Sequence, residues 1–323
     1  MRQVVVATHG HCFDGLCSAV MFTRLMRHLH PGEELGFTYR AMGYGPGQNG
    51  VDPAVLTGED NAILDFRFST SQKLSWYFDH HVSAFPSKED REAFEARASA
   101  PKTTFFHDGA YGSCTKLIAD IGKAKFGLDV SDASELVRWA DMIDRAAFPS
   151  AEMAVARTEP VLQLMTVVEN DGNDAFLAKM VPRLLAEPLE KVAEGDDIKA
   201  AYAPLAAQNQ AFVDLVKQHA EVKGPVVLVD LSSAVVEVAA KFVTYALWPE
   251  SAWSVVLSRS SSKCKISIGY NPWSPLPRKH NVAQICERHG GGGHPVVGAI
   301  SLPAGDVERA KKLVREIAEE LAT

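Results

Sequence analysis

The sequence is short of the features that would fix a compartment or a repeat architecture outright. In 323 residues no apolar run approaches the ~20 that a helix needs to cross a bilayer, so no membrane partner is expected. The first apolar stretch, Val4-Val5-Val6, is too short for the core of a secretory signal and reads instead as a first strand. Cysteine is sparse: Cys12, Cys17, Cys114, Cys264 and Cys286 are odd in number, and none pair at the spacing of a metal knuckle. That argues against a disulfide framework and fits a reducing, cytoplasmic setting. No internal repeat or low-complexity tract stands out. Positive charge is in deficit too, with a net charge of −7, which argues against a general nucleic-acid coat and against tracking along long duplexes.

What is present is the composition of a soluble globular protein, 46% hydrophobic and 23% charged. The length predicts about two domains, with enough apolar surface to need no covalent staples. The charge is uneven. From Lys223 onward there are 12 basic and 9 acidic residues, a balance of +3, whereas residues 1–222 carry 21 and 31, a balance of −10. An acidic first part is suited to cations and a mildly basic second part to an anion, although ordinary surface variation gives the same counts.

The pattern along the chain is that of an α/β protein with two domains. The N-terminal domain is expected to be a mainly parallel sheet wrapped by helices over residues 1–190, followed by a helical connector over 191–222 and a smaller α/β domain over 223–323. Strands are predicted at Val4–Thr8, Phe37–Met42, Ala62–Leu64 and Leu74–Phe78, and helices at Leu16–His30, Ser113–Phe126 and Ala133–Ile143. The stretch from Asp90 to Pro101 reads as loop or poor helix, and Glu159 to Val222 as helical throughout. After Gly224-Pro225 the expected order is a strand at Val226–Leu231, a helix at Val235–Leu247, strands at Ser254–Ser258 and Cys264–Ile268, a short helix at Val282–Arg288, a strand at Val297–Leu302 and a helix at Asp306–Leu321.

Two predicted strands end in an aspartate, Asp65 and Asp79, and a third is followed by His9 and Asp14. Ligands of open α/β sheets gather at the carboxyl ends of the strands, so these groups point toward one edge. Asp79-His80-His81 offers one carboxylate and two imidazoles, donors suited to a divalent metal; a chance triplet on a loop is the plain alternative. Asp141 and Asp144 lie at the end of a predicted helix. Gly290-Gly291-Gly292-Gly293-His294 combines permissive backbone with N–H groups able to cradle a phosphate, or forms a flexible turn. Arg259, Lys263 and Lys265 are candidate phosphate contacts or a solvated strand face. Ser113 either caps a helix or opens an anion site at its N-terminus. Trp273 either stacks a base or anchors a Pro-rich loop.

Together, His9 to Gly15, Asp65, Asp79-His80-His81, Asp141 or Asp144, and Asn281 to Gly298 resemble the DHH phosphoesterase superfamily in order and spacing, over nearly the whole chain. The resemblance implies a two-domain α/β fold with its site in the cleft between the domains and two divalent ions, usually manganese. It implies His9 and Asp65 on one ion, and Asp14, Asp65, His80 and either Asp141 or Asp144 on the other, with Asp141 preferred. Asp79 would orient a neighbouring imidazole, His81 would meet the scissile phosphate, and Gly290 to His294 would hold the rest of the substrate. The chain departs from the usual pattern at Cys12, which stands where an aspartate is common; a ligating thiolate, His11 in its place and a packed thiol are all open there.

The resemblance further implies hydrolysis of a small nucleotide or short oligonucleotide. A 5′-3′ exonuclease acting on single strands is the second expectation, and a catalytically weak relative that binds nucleic acid or a protein is the third. The sequence leaves the oligomeric state open.

Overall fold

The computed structural model describes residues 1–44, 50–233, 235 and 242–323. In chain order the elements are β1 (Arg2–His9), α1 (Phe13–Leu29), β2 (Leu35–Met42), β3 (Asp60–Leu64), β4 (Trp76–Asp79), α2 (Lys88–Ala98), β5 (Phe105–His107), α3 (Cys114–Phe126) and α4 (Ser134–Asp144). The helical stretch continues through α5 (Ala151–Ala156), α6 (Pro160–Asp171), α7 (Asp174–Ala186), α8 (Leu189–Ala193) and α9 (Asp196–Gln218). Then come β6 (Ala220–Lys223), β7 (Val226–Asp230), α10 (Val243–Leu247), β8 (Trp253–Arg259), β9 (Lys263–Tyr270), α11 (Val282–Arg288), β10 (Gly292–His294), β11 (Val297–Pro303) and α12 (Val307–Leu321). The chain divides into two compact units. Unit 1 is Met1–Phe148 with Thr158–Leu205, and unit 2 is Pro149–Arg157 with Ala206–Thr323. The architecture is the one the sequence pattern indicates: two α/β units, a parallel N-terminal sheet, a helical connecting stretch and a mixed sheet in the smaller C-terminal unit.

The sheet of unit 1 has the order β2-β1-β3-β4-β5 with every neighbouring pair parallel. Parallel strands need crossover connections and are buried on both faces. Accordingly β3 and β4 are buried along their whole length. Ala7, Ile63, Tyr77 and Phe105 pack on one side with Phe68, Leu74 and Phe94 of α2. On the other side Phe22 of α1 meets Trp76 and Phe78. Each large side chain buried in this way contributes about 1.5–3 kcal/mol. Leaving β1, the chain first pairs outward as β2 and then returns to pair as β3 on the other side of β1. That reversal opens a crevice at the carboxyl ends of β1 and β3.

The sheet of unit 2 has the order β10-β11-β9-β8-β7-β6, antiparallel except between β7 and β8. Strand alternation separates its two cores. Val226, Leu228, Val255, Leu257, Ile266 and Ile268 face α11 and α12, while Val227, Val229 and Val256 face Phe212 and Val216 of α9. Helix α12 buries Ala310, Leu313, Val314, Ile317, Ala318 and Leu321, the stripe expected of a 3.6-residue period.

Three local features settle or differ from the pattern-based expectation. The Asp90 region is a helix because Ser87 and Asp90 form a reciprocal capping box and Phe94 docks in the core. Residues 220–223 are the strand β6, folded onto β7 through Gly224 at φ 56°. Strand β5, three residues long, extends the parallel sheet beside β4. The helix expected from Val235 falls partly outside the described residues, and its described part is α10. No helix among the described residues is long and apolar enough to cross a membrane.

Candidate metal centre

The crevice at the ends of β1, β3 and β4 gathers the polar residues the sequence singled out in unit 1. His9 is the last residue of β1, Asp65 follows β3 and His80 follows β4. Asp65 turns out of its strand at φ 54°, a left-handed conformation that aspartate tolerates better than most residues. Its side chain is fully buried, with His9 Nδ1 3.5 Å from Oδ2, and His80 Nε2 and His81 Nδ1 at 3.5 and 3.6 Å from Oδ1. Close packing fixes this arrangement. A Cβ on Gly15 would collide with the carbonyl oxygen of His9, so only glycine lets α1 start this near β1. The Thr8 hydroxyl donates to the Gly15 carbonyl at 2.7 Å.

Asp14 is buried at the start of α1. The N–H groups of Cys114 and Thr115, at the N-terminus of α3, donate to its carboxylate at 2.7 and 3.0 Å. The anion at that helix end is thus the chain's own Asp14, while Ser113 accepts from the Lys116 N–H as the cap. Asp79 is saturated. Its Oδ1 accepts from the N–H groups of His80 and His81 and from His81 Nδ1 at 2.8 Å, and its Oδ2 accepts from the Tyr77 hydroxyl at 3.1 Å.

His80 carries the most informative geometry. Its Nδ1 lies 3.2 Å from the Tyr111 carbonyl oxygen, which can only accept, so Nδ1 holds the proton. Its Nε2 then turns toward carboxylates, 3.3 Å from Asp144 Oδ2, 3.5 Å from Asp65 Oδ1 and 4.0 Å from Asp14 Oδ2. A bare lone pair among carboxylates is repulsive, so the arrangement calls for a proton or a cation. Asp65 Oδ1 and His80 Nε2 are both buried without a hydrogen-bond partner. Such orphans are rare in folded proteins and mark a place where a partner belongs.

The electrostatics agree. Burial pushes the Asp14 carboxyl well above the usual carboxylate range, and Asp65 and Asp144 push it further. Burial and Asp65 likewise raise Asp144, to about 6. Burial alone would lower His80, but Asp65, Asp14 and Asp144 outweigh it and lift the imidazole to about 9. Burial would raise Asp65, yet His80, His9 and His81 hold it down at about 2. His81 is raised chiefly by its bond to Asp79. In the metal-free site, protons thus stand where a cation could bind.

Three donor groups meet, each with ligand atoms within 4.8 Å of one another: His9, Cys12 and Asp65; Asp65, His80 and His81; Asp14, His80 and Asp144. Asp65 is common to the first two and His80 to the last two. Nitrogen and carboxylate donors in this number suit divalent ions at two adjoining positions. Of the two helix-end aspartates, the structure brings Asp144, not the preferred Asp141, to the cluster. Asp141 Oδ2 lies 3.4 Å from Arg145 Nη1 instead.

Similarity to known proteins extends over the entire chain. A pGpG-specific phosphodiesterase, PggH, from Vibrio cholerae superposes with a TM-score of 0.65 at 16% identity, covering 98% of this chain and 99% of its own. The chain shares the fold of this phosphodiesterase. An exopolyphosphatase-related protein from Bacteroides fragilis superposes with a TM-score of 0.52 at 13% identity, covering 100% of this chain and 94% of its own. No family model matches the sequence, and no curated protein matches it.

The predicted substrate groups lie in unit 2. Gly290 and Gly291 spend their N–H groups on the Glu287 and Cys286 carbonyls, closing α11. Gly292 to His294 form β10, an exposed edge strand paired with β11. Arg259 pairs with Cys264 and Ser258 with Lys265, so Arg259 shares a sheet face with Cys264 while Lys263 and Lys265 occupy the other. The three cations therefore do not converge. Trp273 packs edge-on against Phe242. His107 ends β5 with Nε2 2.9 Å from the His81 carbonyl oxygen. Two contributors were missed. Tyr77 stands two residues before Asp79, and strand alternation points both to one side, a signal that was readable. Tyr111 acts through its carbonyl and leaves no side-chain signature.

Proposed function

We propose that this protein is a divalent-metal-dependent phosphoesterase that hydrolyses a small nucleotide or short oligonucleotide. The observation that carries the reading is His80 Nε2, a buried nitrogen with its proton fixed on the far side and carboxylates before it. His9, Asp14, Asp65, His80 and Asp144 would hold two ions, with Asp65 shared. Bound divalent ions lower the pKa of water and neutralise charge on phosphoryl oxygens, the two requirements of phosphoester hydrolysis. Asp79 accepts the Nδ1 proton of His81 and so fixes that ring, leaving Nε2 to meet a phosphoryl oxygen. Tyr77 and the two backbone N–H groups in turn hold Asp79. Gly292, Gly293, His294 and Arg259 of unit 2 are assigned to the remainder of the substrate, with Gly290 and Gly291 setting the turn that presents β10. The short substrate is supported by the overall acidic charge and by the fold shared with a pGpG-specific phosphodiesterase. Manganese is the first metal to supply.

The test is hydrolysis by metal-stripped protein re-supplied with manganese, magnesium, zinc or nothing. The substrates are a 5′-phosphorylated dinucleotide, a short oligoribonucleotide, a 3′,5′-bisphosphate nucleotide, a cyclic dinucleotide, polyphosphate and long single-stranded DNA. Metal-dependent release of mononucleotide from the short substrates is expected. Preference for long single strands would support an exonuclease instead. No turnover with any metal would leave a binding protein.

A further inference from the structure

Cys12 stands apart from the other cysteines. Cys17, Cys114, Cys264 and Cys286 are buried, whereas Cys12 is only half-buried. It occupies the N-cap position of α1, a helix of 17 residues, but makes no capping bond. Its Sγ lies 3.7 Å from Asp65 Oδ2, the oxygen that His9 Nδ1 also approaches, at 3.5 Å. A thiol among carboxylates gains little from packing, and a thiol is only a weak hydrogen-bond donor.

The turn that carries Cys12 is pinned on both sides. Gly10 N–H donates to the Met42 carbonyl at 2.7 Å, and His11 N–H to the Gly172 carbonyl at 3.0 Å, with His11 held at φ 54°. A backbone conformation this costly persists where the surroundings enforce it. Here it delivers the sulfur to the fully buried Asp65, whose Oδ1 has no hydrogen-bond partner. Burial, Asp65 and Asp14 raise the Cys12 thiol well above its usual value, so the thiolate forms only with a cation beside it.

We propose that the Cys12 thiolate is a metal ligand together with His9 and Asp65, giving that position a nitrogen–sulfur–oxygen donor set. Such a set favours zinc, cobalt or ferrous iron over magnesium and manganese. The position built from Asp14, His80 and Asp144 has one imidazole and two carboxylates and stays open to manganese. The centre is then mixed in its metal preference. Binding breaks the S–H bond, forms the sulfur–metal bond and releases the proton to solvent. The inference rests on the two-ion reading above.

The test is titration of the metal-free full-length protein with cobalt(II), followed by absorbance and by equilibrium metal content. Two equivalents are expected, one of them accompanied by a near-ultraviolet thiolate-to-cobalt charge-transfer band. Cys12→Ser should abolish the band and weaken that one equivalent by at least about tenfold. Cys12→Asp should raise the manganese-over-zinc preference of that position by at least about tenfold. Two equivalents without a band in the native protein would remove Cys12 from the ligand set and leave the two-ion reading intact. A band that survives Cys12→Ser would do the same, by assigning the sulfur to another cysteine. Failure to bind cobalt would end the two-ion reading and this inference with it. If Cys12→Ser does not fold, protection of Cys12 from alkylation by bound cobalt in the native protein decides the point, and modification at an unchanged rate overturns the assignment.

Discussion

Unit 1 gathers its candidate ligands as buried charges held short of satisfaction, whereas unit 2 displays its candidate substrate groups on an exposed edge. Asp65 is completely buried beside three imidazoles and a thiol, with one carboxylate oxygen unpartnered. Gly292, Gly293 and His294 are exposed on the last strand of their sheet. A site that must hold a cation has to pre-assemble like charges against their repulsion, and the fold records the effort as orphaned atoms, a left-handed Asp65 and displaced pKa values. A surface that only meets a substrate arriving with its own charge needs no such tension. The two regions should therefore respond differently to substitution, pH and metal.

The largest expected effect is at Asp65. Asp65→Ala removes the carboxylate shared by two donor groups, and metal content should fall from two equivalents toward none. Turnover should drop on the order of 10³-fold or more, as when a transition state loses a charge stabiliser. Metal analysis alongside turnover checks it, and a variant that keeps both ions and full rate overturns the metal assignment.

Next comes the choice within α4. Asp144→Asn should weaken one ion by about 10–100-fold, while Asp141→Asn should leave both ions in place and relax only the contact with Arg145. Isothermal titration with manganese separates the two, and the reverse ranking would restore Asp141 to the site. This pair also marks what sequence alone could resolve. Residues three apart share a helix face, so the pattern could name both aspartates and not choose between them. Asp65 and Asp79-His80-His81 were legible because apolar strands run straight into them and parallel sheets place chemistry at strand ends. Arg259 and the lysines of β9 were not separable until register assigned them to opposite faces. The strands β5 and β6 escaped notice because three or four residues carry too little alternation to register as strand.

The pH response should come third. In the metal-free protein Asp144 is raised from 3.8 to about 6 and His80 from 6.5 to about 9. A raised folded-state value means that the stability is present at low pH and is lost as pH climbs, through about 4–6 for Asp144 and about 6.5–9 for His80. Asp65, lowered to about 2, works the other way and costs stability only as pH falls below the ordinary 3.8. The melting temperature of stripped protein should therefore decline from pH 6.5 to 9. Manganese should abolish the decline and release protons on binding. A decline of equal steepness with and without metal would mean that the carboxylates around His80 do not meet the ion.

The smallest effect is expected in unit 2, and it decides whether the contrast between the units is functional. His294 is exposed on β10, so its truncation leaves no cavity and no buried orphan. His294→Ala should change folding stability by no more than about 0.5 kcal/mol and leave metal content at two equivalents. If His294 holds the distal part of the substrate equally in the ground and transition states, KM should rise with kcat unchanged. The rise should be about tenfold, the worth of one hydrogen bond to a charged oxygen. A fall in kcat at constant KM would instead make His294 part of the chemical step and erase the division of labour between the units. An unchanged KM would detach the glycine–histidine edge from substrate altogether and leave unit 1 alone to recognise what it cleaves.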